Sequence, residues 1–123
     1  MADDSVSVLV VDDEEDIRDV VQTILEARGV HVLTAEDGAR GVELFKQNAE
    51  RIDAVLLDMT MPGMTGDKLA IEVKKIRADI PVVICSGYSD EVMVNRAKQI
   101  GISAFLMKPL VIRDLANTVR DVL

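Results

Sequence analysis

The sequence predicts one α/β domain, a (βα)5 chain folded as a doubly wound, open parallel sheet of five strands. Three observations lead there. The chain has 123 residues, the length of one domain able to bury roughly two-thirds of its unfolded surface. Short runs such as SVLVV, AVLLD, PVVIC and AFLM are apolar throughout rather than alternating, as in strands covered on both faces. The segments between them change to helical periodicity, and strands alternating with helices make a parallel sheet. Five strands are too few for a closed eight-stranded barrel.

The elements follow in order. MADDS, residues 1–5, is a short polar tail expected to be disordered, and residues 7–11 form the first strand. Over 14–28, Ile17, Val20, Val21, Ile24 and Leu25 fall on one helical face, and Gly29 stops the helix. His31 to Ala35 is the second strand. A weaker helix over 38–49 carries Val42, Leu44 and Phe45, with Gly41 expected to cost it about 1 kcal/mol relative to Ala. Ala54 to Asp58 is the third strand, and the third helix spans 65–78 with Leu69, Val73 and Ile76 on one side. The fourth strand is PVVIC, opening on Pro81 where a missing N–H is tolerated. A helix over 90–100, a strand over 104–107 and a helix over 111–123 complete the chain, the last with Ile112, Leu115, Val119 and Val122 as its apolar stripe.

Composition excludes several function classes. The net charge is −8, so there is no basic face to neutralise phosphates, and neither nucleic acid nor an anionic membrane surface is an expected partner. No apolar stretch approaches the roughly 18 residues of a membrane-crossing helix, and there is no signal peptide. A cytoplasmic location is expected. The lone cysteine, Cys85, cannot form an internal disulfide and lies in an apolar run, as an inert buried thiol does. His31 sits early in its strand, away from the edge described next.

The strand ends carry the chemistry. Strand 1 ends in Asp12-Asp13, strand 3 in Asp58, strand 4 in Ser86 and strand 5 in Lys108. In a parallel sheet these ends lie along one edge, where open α/β sheets bind ligands. Three carboxylates sharing a pocket raise one another's pKa unless a cation joins them, and one lysine does not balance three acids. A hard divalent cation does: Mg²⁺ takes a few carboxylates together with waters and phosphate oxygens. Asp13, Asp58 and a backbone carbonyl just beyond Asp58 are suited to hold it. A free oxygen of Asp58 is then available as a nucleophile toward phosphorus. The cation, Lys108 and the Ser86 hydroxyl would share the charge of the transferred phosphoryl oxygens. Asp58 is thus expected to be phosphorylated.

VLVVDDEEDIR, AVLLDMTMPGMTG, PVVICSG and AFLMKPL, in this order and at this spacing, resemble the receiver domain of two-component response regulators over about residues 6–123. The resemblance implies a flavodoxin-like sheet of order 2-1-3-4-5 and a single receiver domain over 1–123. It implies that Asp58 takes a phosphoryl group from a sensor histidine kinase or a histidine phosphotransfer protein. Mg²⁺ (or Mn²⁺) would be held by Asp12, Asp13, Asp58 and the Thr60 backbone carbonyl. Ser86 and Phe105 would form the switch, and Lys108 would contact the phosphoryl group with a cis bond to Pro109. Thr60 and Tyr88 would tune the lifetime of the phosphoryl group. The helix 4–strand 5–helix 5 face would shift on phosphorylation. CSGYSD is similar to receivers of hybrid histidine kinases. Such a domain is no enzyme in the ordinary sense; it catalyses its own phosphotransfer and a slow autodephosphorylation.

Other readings fit less well. An FMN module needs a phosphate-cradling loop after strand 1, where DDEEDIR stands. An aspartyl-phosphate hydrolase commonly has a second acid two residues after its nucleophile, where Thr60 stands. A pseudo-receiver, acting as a phosphorylation-independent interaction module, would lack the chemical residues present here. Asp12 and Asp13 alone could serve as helix caps, Phe105 as core, and Met59, Met61 and Met64 as packing around their loop.

Overall fold

A computed structural model describes residues 6–87, 91–108 and 112–123, with the side chains of 91–93 and 112 left aside. In chain order the elements are β1 (Val6–Val11), α1 (Glu15–Glu26), β2 (Val30–Ala35), α2 (Gly38–Asn48), β3 (Ala54–Asp58), α3 (Gly66–Ile76), β4 (Val82–Ser86), α4 (Glu91–Ile100), β5 (Ala104–Met107) and α5 (Ile112–Val122). All neighbouring strands pair in parallel, in the order β2-β1-β3-β4-β5. The predicted fold class and strand order are those observed, with element ends differing by one or two residues. The tail 1–5, Tyr88 and Pro109, with its expected cis bond, lie outside the described residues.

Alternate residues of each strand face opposite sides, so the continuous apolar runs feed two cores. Leu9, Val11, Val55, Leu57, Val82 and Ile84 pack in one cluster with Phe45 of α2 and Leu69, Ala70 and Val73 of α3. Val8, Val10, Ala54, Leu56, Val83 and Cys85 pack in the other with Val21, Ile24 and Leu25 of α1 and Leu115 and Val119 of α5. Burying a side chain of this size contributes about 1.5–3 kcal/mol, so both faces of the sheet stabilise the fold. Two expected stripe residues fall outside these cores. Val20 is 52% exposed and Ile76 37%, because Val20 lies at the margin of its helical stripe and Ile76 is the last residue of α3.

Two glycines are required by contact rather than by turn geometry. A Cβ on Gly41 would lie 2.9 Å from a methyl of Val11. The propensity cost expected at Gly41 therefore accompanies close seating of α2 on β1, which the sequence pattern did not reveal. At Gly66 a Cβ would lie 2.5 Å from the Asp58 carbonyl oxygen and 2.8 Å from Met59 Cα. The Gly66 N–H donates to the Met59 carbonyl at 2.9 Å, so α3 begins directly against the end of β3. Gly66→Ala is expected to destabilise the fold by about 2 kcal/mol or more, as overpacking against a backbone does. Urea unfolding of the variant beside wild type checks this.

Candidate functional site at the carboxyl edge of the sheet

The chain winds outward in opposite directions from β1 and β3, and the crevice of a doubly wound sheet opens where they adjoin. Asp12 follows β1 and Asp58 ends β3, so both stand at that crevice. The sheet's hydrogen bonding continues past the strands and fixes their ends. Asp12 N–H donates to the Ala35 carbonyl at 3.2 Å, Met59 N–H to Cys85 at 2.8 Å, and Lys108 N–H to Ser86 at 2.7 Å. Asp12, Asp58, Ser86 and Lys108 are therefore mounted on or directly beside ladder backbone.

Asp12, Asp13 and Asp58 each offer an oxygen within 4.8 Å of the others. Asp12 and Asp58 are buried, at 3% and 4% exposure, and Asp13 is exposed. Lys108 Nζ lies 3.0 Å from Asp12 Oδ2 and 3.2 Å from Asp58 Oδ1, with Glu14 Oε1 further off at 3.9 Å. Burial pushes the Asp58 carboxyl up to about 6 and the negative charge of Asp12 adds to the rise, while Lys108 and the Thr60 N–H oppose it. Burial alone would lower the Lys108 pKa, but its bond to Asp12 and the charges of Asp12 and Asp58 outweigh that and hold it above its ordinary value. Asp58 is thus an acid whose charge is only partly compensated.

The remaining predicted residues lie in the loop after β3 and on β4 and β5. Thr60 is exposed, and its N–H donates to Asp58 Oδ1 at 3.3 Å. The Met59 carbonyl is taken by Gly66 N–H, which leaves the Thr60 carbonyl as the next backbone oxygen beyond Asp58. Ser86 is fully buried at the end of β4. Phe105 on β5 is half-buried and packs against the cluster shared by α2 and α3. Asp12 Oδ1 accepts from Glu14 N–H at 2.9 Å, a turn bond ahead of α1 and not a helix cap, because the N-cap is Glu14 and carries no side-chain cap bond. Met59 and Met61 are buried in the core, and a Cβ on Gly38 would meet Met64, so the methionines pack the loop as expected. Cys85 is buried, its thiol pushed up to about 12 by desolvation, and His31 is exposed at the start of β2.

One participant escaped the sequence reading. Arg18, on α1, donates from Nη1 to the Asp12 carbonyl at 2.6 Å. The available signal was its isolation, as the one base among the acids of DDEEDIRD.

Residues 8–120 match the family model of the response regulator receiver domain. The chain belongs to that family. Receiver domains are phosphorylation-activated signalling switches: they are phosphoacceptors in two-component systems and meet histidine kinases or phosphotransfer proteins as well as downstream targets. This receiver is such a switch. It is 37% identical to the chemotaxis protein CheY of Bacillus subtilis over 103 residues, covering 83% of this chain and 84% of that one. It is 34% identical to the two-component response regulator ARR10 of Arabidopsis thaliana over 110 residues, 89% of this chain, and spans only 20% of that protein's length. Among solved structures, a CheY–CheX complex from Borrelia burgdorferi with BeF3 and Mg²⁺ superposes on this receiver with a TM-score of 0.91 at 29% identity, covering 95% of this chain and 88% of that one. No helix among the described residues is long and apolar enough to cross a membrane.

The raised Asp58 pKa sets a pH dependence. Folded Asp58 holds its proton up to about 6, against an ordinary aspartate value of 3.8, so its contribution to stability falls as pH rises through that window. Asp58→Asn removes the penalty. Without divalent cations the variant is expected to be more stable at pH 7, by up to about 3 kcal/mol, and the gain should vanish near pH 3.5. Paired urea titrations at the two pH values measure it.

Proposed function

We propose that Asp58 is the phosphoacceptor and that this receiver takes a phosphoryl group from a phosphohistidine of a sensor kinase or phosphotransfer protein. The observation that carries the reading is the gathering of Asp12, Asp13, Asp58 and Lys108 at one edge. An Asp58 carboxylate oxygen attacks phosphorus, the bond from phosphorus to the donor nitrogen breaks, and its electron pair stays on that nitrogen. Lys108, already within 3.2 Å of Asp58 Oδ1, accompanies the incoming charge, and Ser86 donates its hydroxyl to a phosphoryl oxygen.

The donor set suits a hard cation: carboxylate oxygens of Asp12, Asp13 and Asp58 with the Thr60 backbone carbonyl. Mg²⁺ (or Mn²⁺), when bound, supplies charge neutralisation for one phosphoryl oxygen. The superposition with a BeF3- and Mg²⁺-containing relative supports this assignment. The domain acts as its own phosphotransfer catalyst, with slow autodephosphorylation, and not as a hydrolase of external esters. Thr60, two residues past the nucleophile, offers no acid–base group. Output runs through the Ser86–Phe105 pair to the face formed by α4, β5 and α5, as a shift between two existing surfaces, in a cytoplasmic setting.

Incubation with a small acyl-phosphate, followed by intact-mass measurement, is expected to give one Mg²⁺-dependent phosphoryl adduct that Asp58→Asn lacks. An adduct persisting in that variant would contradict the assignment. Lys108→Ala is expected to keep Mg²⁺ binding, measured by calorimetry, while slowing phosphoryl uptake by about 10- to 100-fold. Loss of Mg²⁺ binding in that variant would contradict the division of roles.

A further inference from the structure

The stretch Asp12 to Asp19 holds six carboxylates and one cation, Arg18. Among the described residues Arg18 pairs with no acid; it reaches back from α1 to the Asp12 carbonyl at 2.6 Å. The opposite end of Asp12 is also anchored, its Oδ1 on Glu14 N–H at 2.9 Å and its Oδ2 on Lys108 at 3.0 Å. Asp13, next in the chain, is exposed, and among the described residues its carboxylate accepts no hydrogen bond. Among the described residues, then, no hydrogen bond or ion pair to the Asp13 side chain holds it in the cluster of three acids. Its position is inherited from the backbone.

The peptide joining Asp12 to Asp13 is planar, so fixing the direction of the Asp12 carbonyl fixes the Asp12 ψ angle and the location of the Asp13 Cα. A guanidinium donor makes that anchor a charge-assisted one. α1 is itself packed on the sheet through Val21, Ile24 and Leu25, which gives the anchor a rigid base. We infer that Arg18 is a positioning residue for divalent-cation binding: it holds the Asp12–Asp13 peptide so that the Asp13 carboxylate stays in register with Asp58. This rests on the cation reading of the acidic cluster given above.

Charge and geometry make opposite forecasts, which renders the role testable. Removing a cation from a crowd of acids would by itself strengthen Mg²⁺ binding. Removing a positioning bond weakens it, and loss of an outer-shell partner typically costs 10-fold or more in metal affinity. Calorimetric Mg²⁺ titration of wild type, Arg18→Met and Arg18→Lys separates the two, with thermal unfolding in EDTA showing that each variant is folded. Arg18→Met is expected to bind Mg²⁺ about tenfold more weakly, and Arg18→Lys, which keeps charge and donor, to recover most of the loss. Equal or tighter binding by Arg18→Met would overturn the inference and leave Arg18 as a charge-balancing or merely structural residue. An Arg18→Met variant that does not fold shifts the decision to Arg18→Lys beside Arg18→Gln, a neutral donor; equal or tighter binding by Arg18→Gln overturns the inference. Absence of Mg²⁺ binding by wild type would instead defeat the cation reading, and this inference with it.

Discussion

Two carboxylates buried side by side in a folded protein repel each other, and the carboxyl edge of this sheet is organised around that repulsion. Asp12 and Asp58 are 3% and 4% exposed, and the single ammonium of Lys108 is shared between them. Coulomb attraction at about 3 Å is large in a poorly screened site, yet it is spread over two acids with a third, Asp13, close by. The result is an acid with an elevated pKa and an unmet demand for positive charge. Burial of this kind marks functional sites more often than structural ones. A cation and a phosphoryl group brought to the edge together would answer that demand.

The surrounding backbone fixes the two buried acids, Asp12 and Asp58, in place. Ladder bonds run past the ends of β1, β3 and β5. α3 abuts the Asp58 backbone through a glycine that admits no side chain, and buried methionines fill the loop between. Asp58 is therefore seated against packed structure and not in a soft loop. Phe105, half-buried on β5, pairs in register with Ile84, two residues before Ser86.

Much of this was legible in the sequence, for physical reasons that differ by residue. The apolar runs announced doubly covered strands, and the acids, hydroxyl and lysine at their ends announced a common edge, because parallel strands leave no other arrangement. Strand order came from the family resemblance, since periodicity says nothing about neighbours. What escaped was contact between elements distant in the chain or turned toward the backbone. Gly41 read as a helix weakness until Val11 was found against it. At Gly66 nothing in the residue pattern marked the seat of α3 on β3. Arg18 went unremarked: its isolation among acids is visible in the sequence, but a bond to a main-chain carbonyl is not. Val20 belonged to the right stripe by spacing, but at its margin, where it stays exposed.

The account turns on a buried, under-compensated Asp58 carboxyl that awaits a cation. A carbon-detected NMR titration of that carboxyl, with and without Mg²⁺, measures this directly. Without Mg²⁺ the midpoint is expected near 6, and with saturating Mg²⁺ it should fall by at least one pH unit or so, as a neighbouring cation favours the ionised form. A midpoint at the ordinary aspartate value of 3.8, unmoved by Mg²⁺, would contradict it.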